Sequence, residues 1–161
     1  MSSLKTYNYC FKDYRELTEE ESLLVWELRN RPDIRKWMTN SDPIELADHN
    51  RFIKSLFSRP DIRYYLVKNN EGLFIGSVNI SFISEHEVER GIYINPSYQG
   101  MGHAGRLLKE FYEAIHQKYS IKRIVTKVFL SNEPSNALER SLGAMPMNVE
   151  SPDYNYYELN L

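Results

Sequence analysis

The sequence has 161 residues and a formal net charge of -2, which fits a single domain spanning 1–161 rather than two. This near-neutral balance gives no electrostatic reason to expect nucleic acid or an anionic membrane as a partner. No apolar run approaches the roughly 18 residues of a membrane span and the first residues lack a signal-peptide core, so we expect a cytoplasmic protein.

The first predicted elements are a strand and an amphipathic helix. Residues 7–11 are rich in aromatic side chains and favour a strand. The run Thr18–Glu21 has the spacing of a capping box, which predicts a helix start. The apolar residues that follow at helical spacing are Leu24, Val25 and Leu28. Pro32 is expected to stop this helix, because proline disfavours a helical conformation in the residue before it.

A second helix is predicted before residue 60. A short helical turn over 34–38 should precede it, and its start is expected near Pro43 or Glu45. Its predicted inner face comprises Leu46, Phe52, Ile53 and Leu56. Pro60 would end it.

The rest of the chain predicts a hairpin and then a strand-helix-strand unit. Strands over 63–67 and 73–83 flank a turn at 69–72 that is rich in asparagine and glycine. Three further strands are expected, over 88–94, 121–129 and 154–161. One helix should lie between the first two of these, and Pro134 should open another at a tolerated first-turn position.

Glycine is concentrated where the strand over 88–94 gives way to its helix. Four of the seven glycines lie between Gly91 and Gly105, and the first-turn amides of a helix are a natural site for an anion. The stretch therefore predicts a phosphate or pyrophosphate ligand. Its spacing excludes an NTP-binding loop, which ends in Gly-Lys-Ser/Thr, and a dinucleotide fingerprint, which needs a third glycine.

Two motifs carry a resemblance to a known family. From Gln99 to Ala104 the residues follow Q-x-x-G-x-A, which resembles the pyrophosphate motif of the GNAT N-acetyltransferase superfamily. Residues 132–144 resemble its N-x-x-[AS]...L-x-x-x-L-G segment. The resemblance implies an α/β (α+β) GNAT fold with a mixed central sheet of about six to seven strands, a splayed parallel pair and about four flanking helices.

The same resemblance implies acetyl-CoA as the acetyl donor. The strand before the glycine turn would splay from its parallel neighbour and free backbone groups for the pantetheine arm. The implied cofactor-binding residues are Ile92, Tyr93, Ile94, Gln99, Gly100, Met101, Gly102, His103, Ala104, Gly105, Asn132 and Ser135. No metal is expected, because the histidines lack ligand spacing and Cys10 is the only cysteine.

Acetyl transfer requires an unprotonated amine, a stabilised oxyanion and a proton for the leaving thiolate, and it needs no covalent enzyme intermediate. Glu89 alternates with Glu87 and Gly91 onto one face of its strand, so Glu89 is a candidate base acting directly or through water. The alternative is that both glutamates are solvated strand-end residues.

The residue that returns a proton to the thiolate is less clear from the motifs. The family usually has tyrosine where Glu139 stands, although a branch resembling the ribosomal-protein acetyltransferases carries glutamate there. An ordinary glutamate is ionised at neutral pH and cannot donate a proton. We therefore predict that Glu139 is structural or orients a water. The thiolate would then be protonated by solvent, by the amine's own proton, or by another residue such as Tyr93.

We expect the first sixty residues to determine which acceptor is bound. Residues 28–38 and 48–56 carry the elements R-N-x-P, W-M and H-x-x-F-I, which resemble the PseH branch of pseudaminic acid biosynthesis and, more loosely, the RimJ/RimL branch. The narrower resemblance implies a UDP-linked 4-amino-4,6-dideoxy sugar as acceptor. The implied substrate residues are Arg29, Trp37, Met38, His49 and Phe52. A basic cluster could meet the diphosphate: Arg29, Arg31, Arg35 and Lys36.

Each of these residues could instead have a purely structural role. A charge cluster at a helix corner is usually solvated, and large apolar residues usually pack in the core. Three functions stay open. They are a nucleotide-amino-sugar N-acetyltransferase, a protein N-terminal or polyamine N-acetyltransferase, and a non-catalytic acetyl-CoA-binding module. The sequence leaves the oligomeric state open, with a homodimer among the alternatives.

Overall fold

The computed structural model describes residues 2–161. In that range the strands are β1 (Leu4–Lys5), β2 (Tyr9–Asp13), β3 (Ile62–Asn69), β4 (Phe74–Ser84), β5 (Glu87–Ile94), β6 (Arg123–Phe129), β7 (Met145–Pro146) and β8 (Tyr154–Asn160). The helices are α1 (Glu19–Arg29), α2 (Pro32–Arg35), α3 (Leu46–Ser55), α4 (His103–Tyr119) and α5 (Glu133–Ser141). The strands form one mixed sheet in the order β1-β2-β3-β4-β5-β6-β8-β7.

The predicted fold class is confirmed, and the element count is slightly higher than expected. The two additional strands, β1 and β7, have two residues each, which is too short for any periodic pattern. The helical turn expected over 34–38 is α2, which starts earlier, at Pro32. Proline both follows the end of α1 and occupies the first turn of α2, where its missing N–H removes no hydrogen bond.

The start of α1 follows from its sequence, but part of its predicted inner face does not. Thr18 Oγ1 accepts a hydrogen bond from the Glu21 amide, and a Glu21 carboxylate oxygen accepts one from the Thr18 amide, both at 3.1 Å. The capping box is therefore confirmed. Leu24 was predicted to face inward but is 45% exposed, whereas Val25 and Leu28 are buried.

The inner face of α3 needs a similar correction. Phe52 and Ile53 pack against a buried cluster that includes Leu56, as predicted. Leu46, the first residue of α3, is 36% exposed and was wrongly predicted to face inward. His49 is buried instead.

The helices cover opposite faces of the sheet. On one face, α4 packs Leu107, Leu108, Phe111 and Ile115 against inward residues of the central strands. On the other face, Val25 of α1 and Leu56, which follows α3, pack against Leu66 of β3. Leu66 lies between Tyr65 and Val67, which face α4, so alternation along β3 serves both cores.

The separation of β5 from β6 positions the site. These strands pair in parallel only at Glu87↔Arg123, Val88↔Ile124 and Glu89↔Val125. Beyond that point β5 stays paired with β4 to Ile94, and β6 stays paired with β8 to Phe129. Residues 90–94 therefore have no strand on their β6 side, which confirms the predicted splayed parallel pair.

None of the helices formed by residues 2–161 combines the length and apolar character needed to cross a bilayer.

Candidate active site

A cleft of about 1180 Å³ opens where β5 and β6 separate. It runs from the glycine turn and the start of α4, through the splay, to the segment 29–40 on the opposite face of the sheet. Almost every predicted site residue lines it. Met101 does not, and its side chain is 57% exposed.

The glycine turn leaves a helix N-terminus open at one end of the cleft. Gly100 and Gly102 have φ angles of 75° and 77°, a left-handed conformation that favours glycine. Gly102 is the N-cap of α4, and no side chain caps this helix. The first-turn amides of His103, Ala104 and Gly105 are therefore available to an anion.

Gly102→Val is expected to weaken acetyl-CoA binding roughly tenfold to a hundredfold, because strain at a positive φ would shift the amides that face the pyrophosphate. Gly72→Val is the matched control. Gly72 has φ 81° and lies in the β3–β4 turn, outside the cleft. Calorimetric titration should find weaker binding only in the Gly102 variant; equal affinity in both folded variants would contradict this placement.

One of the β5 backbone groups predicted to contact pantetheine already has a hydrogen-bond partner. The side-chain amide of Gln99 donates to the Ile94 carbonyl at 3.1 Å, so that carbonyl already has a partner. Gln99 thereby fixes the end of β5 against the glycine turn. Ile92 and Tyr93 remain on the open side of the splay.

The start of α5 is held by a buried asparagine that sequence reasoning missed. Asn132 caps α5 by accepting from the Ser135 amide at 3.3 Å. Asn136 is 1% exposed; its amide nitrogen donates to the carbonyls of Phe129 and Asn132, and its oxygen accepts from Tyr157. Because it ties α5 to both β6 and β8, it sets where Asn132 and Ser135 face the cleft.

Glu139 is held in a buried ion pair with Arg90. Both side chains are 3% exposed and both line the cleft. Arg90 Nε also donates to the Tyr112 hydroxyl at 2.9 Å. Burial opposes the charge on Arg90, but Tyr112 and Glu139 outweigh it and raise its pKa. Glu139 thus faces a permanent cation.

Another buried polar group faces the splay without a protein partner. Thr126 of β6 is 3% exposed and lines the cleft, and its hydroxyl has no hydrogen bond within residues 2–161. Neither Thr126 nor Arg90 was proposed from the sequence. Arg90 carried a usable signal, since it falls between Val88 and Ile92 on the core-facing side of β5.

The opposite face of β5 carries the two remaining candidates for proton transfer. Glu89 is exposed to the cleft at the last residue pair before the strands separate. Tyr93 lies two residues beyond Gly91 on the same face. An added Cβ at Gly91 would lie 2.5 Å from Asn79 Oδ1. Glycine at this position therefore leaves room for the Asn79 side-chain amide between the side chains of Glu89 and Tyr93.

Tyr93 belongs to a small hydroxyl network. Its hydroxyl lies 3.3 Å from that of Tyr14, which in turn lies 2.5 Å from Ser77 Oγ. Burial raises the pKa of Tyr93 and raises that of Tyr14 well above its ordinary value. Both phenols therefore hold their protons at neutral pH, which suits Tyr93 to donate a hydrogen bond rather than to release a proton.

The predicted acceptor residues separate into two groups. Arg29 lines the cleft, donates to the Asn40 carbonyl at 3.1 Å and keeps a buried Nη1 without a partner in residues 2–161. Lys36 also lines the cleft. Arg31 instead pairs with Asp33, and Arg35 donates to the carbonyls of Ser41 and Asn30.

His49 has a local structural partner. Its Nε2 lies 2.9 Å from Ser22 Oγ, which joins α3 to α1. Burial lowers the pKa of His49, so it adds no charge to the cleft at neutral pH. Phe52 packs edge-on against Tyr64, with ring centroids 4.9 Å apart.

Three aromatic rings line the cleft beyond the splay. The ring of Trp37 lies 6.2 Å from that of Phe129, which lies 4.5 Å from that of Tyr154. Lys36 Nζ is 5.0 Å from the Trp37 ring, and Lys127 Nζ is 4.8 Å from the Tyr154 ring. We call these five residues the aromatic wall. Trp37 and Lys36 were proposed as ligand contacts from the sequence. Phe129, Tyr154 and Lys127 were not, because the wall joins the segment that follows α2 to β6 and β8.

The model of the acetyltransferase (GNAT) domain family matches residues 14–145 of this chain. The chain belongs to the GNAT acetyltransferase family. Acetyl-CoA is accordingly its acetyl donor and N-acetyl transfer its reaction. No cluster of side chains suited to a metal ion is found among residues 2–161.

Individual relatives and solved structures are similar to this chain. Acetyltransferase PseH from two strains of Campylobacter jejuni is 29% identical over 121 residues, which are 75% of this chain and 74% of PseH. The structure of C. jejuni PseH with acetyl coenzyme A has a TM-score of 0.76 at 24% identity, covering 94% of this chain and 98% of that one.

Two GNAT enzymes with other acceptors match the fold as well. Spermidine N-acetyltransferase from Vibrio cholerae, in complex with CoA and spermine, has a TM-score of 0.82 at 17% identity, covering 94% and 95% of the two chains. RimL, a ribosomal L7/L12 N-acetyltransferase, has a TM-score of 0.82 at 16% identity, covering 99% and 98%. At these identities the likeness concerns the fold alone.

Proposed function

We propose that this enzyme acetylates the 4-amino group of a UDP-linked amino-deoxy sugar, in a pathway of the pseudaminic acid type. The observation that carries the proposal is the aromatic wall with its two lysines, opposite the donor end of the cleft. The sequence similarity of this chain to PseH supports the same acceptor.

The aromatic wall has the chemistry of a nucleotide site. Aromatic faces stack on planar rings such as a pyrimidine base, and lysine ammonium groups attract phosphate oxygens. Lys36 and Lys127 lie over rings at the two ends of the wall. A ligand that stacks on Phe129 would therefore meet a positive charge on either side.

Arg29 adds a donor for an anionic group. Its Nη1 is buried and unpartnered within the described chain, and an unsatisfied buried donor is unfavourable until a ligand accepts from it. Burial lowers the pKa of Arg29, but a guanidinium remains protonated in proteins. A diphosphate or a sugar oxygen would satisfy it.

The charge of the acceptor half argues against a polyamine. Its cations are Arg29, Lys36 and Lys127, whereas its carboxylates are Asp33, which already pairs with Arg31 at 3.1 Å, and Glu89. A polycation would be repelled by this balance, while a nucleotide diphosphate would be attracted.

The transfer itself proceeds by direct attack of the sugar amine on the thioester. Glu89 takes the amine proton, directly or through water. Tyr93, on the same face of β5, donates a hydrogen bond to the acceptor. The departing thiolate lies on the face of the splay that carries Arg90 and Thr126, and it regains a proton from solvent or from the proton released by the amine.

A panel of acceptors tests the proposal, with CoA release as the measurement. We expect kcat/KM to be roughly tenfold to a hundredfold higher for the UDP-linked 4-amino sugar than for the same amino sugar without its nucleotide. The free sugar would lack one or more charged hydrogen bonds that the nucleotide makes. Preference for spermidine or for a peptide N-terminus would overturn the proposal. Binding of acetyl-CoA without transfer to any amine would indicate a non-catalytic module.

Arg29→Ala is expected to raise the KM for the UDP-amino sugar roughly tenfold to a hundredfold and to leave acetyl-CoA affinity unchanged. Arg31→Ala is the matched control, because it removes a charge from the same corner while lying outside the cleft. Steady-state kinetics with each substrate varied will separate them. Equal KM values in the two variants would exclude Arg29 from the acceptor site.

A further inference from the structure

The side-chain amide of Asn79 lies over Gly91 on the acceptor side of the sheet. The two residues are directly paired between β4 and β5, and opposite residues of an antiparallel pair present their side chains on one face. A Cβ at position 91 would lie 2.5 Å from Asn79 Oδ1, 3.3 Å from its Cγ and 3.4 Å from its Nδ2. The amide therefore occupies the gap between Glu89 and Tyr93, which flank Gly91 on the same face.

This amide is available to a ligand. Asn79 is half-buried and lines the cleft. Within residues 2–161, its side-chain oxygen and nitrogen have no hydrogen-bond partner. A side-chain amide offers one acceptor and two donors, and polar groups that lose water when a cleft fills are unfavourable unless the ligand replaces it. Asn79 is thus placed to bind the group that lies in front of Glu89.

We propose that Asn79 Oδ1 accepts one hydrogen bond from the acceptor amine while Glu89 accepts the other, so that the nitrogen lone pair is directed at the thioester. The inference rests on the proposed role of Glu89 as the base. A neutral primary amine has two N–H bonds and one lone pair, so fixing both N–H bonds fixes the lone pair as well. Alignment of the reacting atoms in this way lowers the barrier to attack.

Asn79 holds the acceptor throughout the transfer. The new C–N bond forms at the thioester carbonyl, and the C–S bond breaks with its electron pair leaving on sulfur. One amine proton moves to Glu89. The other N–H becomes the N–H of the product amide and keeps its hydrogen bond to Asn79, which itself gains and loses no proton.

The same arrangement selects an amine over a hydroxyl group. A hydroxyl has a single O–H, so it can donate to Asn79 or to Glu89 but not to both. The acceptor left without a donor makes the hydroxyl compound bind less well, because a polar group desolvated without a partner is unfavourable. Asn79 is therefore a specificity-determining residue as well as an anchor.

A double-variant cycle between positions 79 and 91 tests the contact, with a UDP-linked 4-amino sugar as acceptor. Asn79→Ala should lower kcat/KM for the amine roughly tenfold to a hundredfold, since one of its two anchors is lost. Gly91→Ala should cause a similar loss, because its Cβ displaces the Asn79 amide. In the double variant that clash is absent, so Gly91→Ala should add less than about twofold to the loss in Asn79→Ala. Additive losses, or an unchanged kcat/KM in Asn79→Ala, would overturn the inference.

A binding comparison separates this role from a purely structural one. Calorimetry should find that the wild-type enzyme prefers the UDP-linked 4-amino sugar to the UDP-linked sugar with a hydroxyl at the same carbon. Asn79→Ala should reduce that preference by about twofold to tenfold, the effect of one neutral hydrogen bond. Ser84→Ala, on the same strand but outside the cleft, should preserve it. An undiminished preference in Asn79→Ala would refute the contact even if the variant were less stable.

The outcomes also distinguish this inference from the proposals beside it. If the acceptor panel identifies a peptide or a polyamine, the sugar proposal is refuted, and the cycle is repeated on that amine with the same expected coupling. If Glu89→Gln keeps its activity while Asn79→Ala loses it, the base is misassigned and the anchor at Asn79 stands. Additive losses with an active UDP-amino sugar would refute Asn79 alone.

Discussion

Arg90→Met is expected to lower the free energy of unfolding by about 3–5 kcal/mol, since it leaves the Glu139 carboxylate buried without a counter-ion. Both side chains are 3% exposed, so water cannot readily replace the guanidinium. The Tyr112 hydroxyl would also lose the hydrogen bond that it accepts from Arg90 Nε. Chemical denaturation of the two proteins at neutral pH measures the difference.

The double variant Arg90→Met/Glu139→Leu is the decisive control. Replacing a buried ion pair with apolar residues of similar volume is often neutral or stabilising, so the double variant should recover most of the loss. Arg123→Met provides a surface comparison. Arg123 pairs with Glu158 while 27% exposed, and such a pair contributes only about 0–1 kcal/mol. A loss below about 1 kcal/mol in Arg90→Met would show that the pair contributes little.

The ion pair also gives a physical reason for glutamate at position 139. At the position where the resembling family usually has a tyrosine this chain has Glu139, and without that carboxylate Arg90 on β5 would be buried without a counter-charge. Each of the two charges is therefore tolerated in the interior because the other neutralises it. The prediction that Glu139 is structural or orients a water still awaits a kinetic test, and Glu139→Gln should keep kcat within about tenfold.

Local patterns predicted most of the helices and strands, because each pattern lies within a short stretch of sequence. The capping box at Thr18, the helical spacing after it and the glycine turn before α4 each depend on residues close in sequence. The motif resemblance supplied the remaining step, the splay of β5 from β6. Even so, Leu24 and Leu46 fit a helical period and are exposed, since periodicity identifies a face but does not fix its edges.

The candidate site was harder to predict because its walls join distant segments. Trp37, Phe129 and Tyr154 meet only because β8 lies beside β6 and the segment after α2 brings Trp37 against Phe129. No sequence spacing encodes that meeting. The contact between Tyr9 and His103, 94 residues apart, was hidden for the same reason.

Glu89→Gln is expected to lower kcat by about 10²- to 10⁴-fold, the usual effect of removing a general base. Glutamine keeps the size of the side chain but cannot accept the amine proton. Because Glu89 lies at the last position where β5 pairs with β6, away from the glycine turn, acetyl-CoA affinity should be unchanged. Rapid-mixing or steady-state kinetics at saturating acetyl-CoA, together with calorimetry of CoA binding, will measure both quantities.

Glu87→Gln is the matched control for this prediction. Glu87 lies on the same strand and the same face, two residues before Glu89, but it lies outside the cleft and approaches Arg123 at 3.5 Å. Its replacement should leave kcat within about twofold, well inside the 1.4 kcal/mol that corresponds to tenfold. If Glu89→Gln also keeps kcat within tenfold, the amine proton leaves by another route. That route would be direct transfer to solvent water.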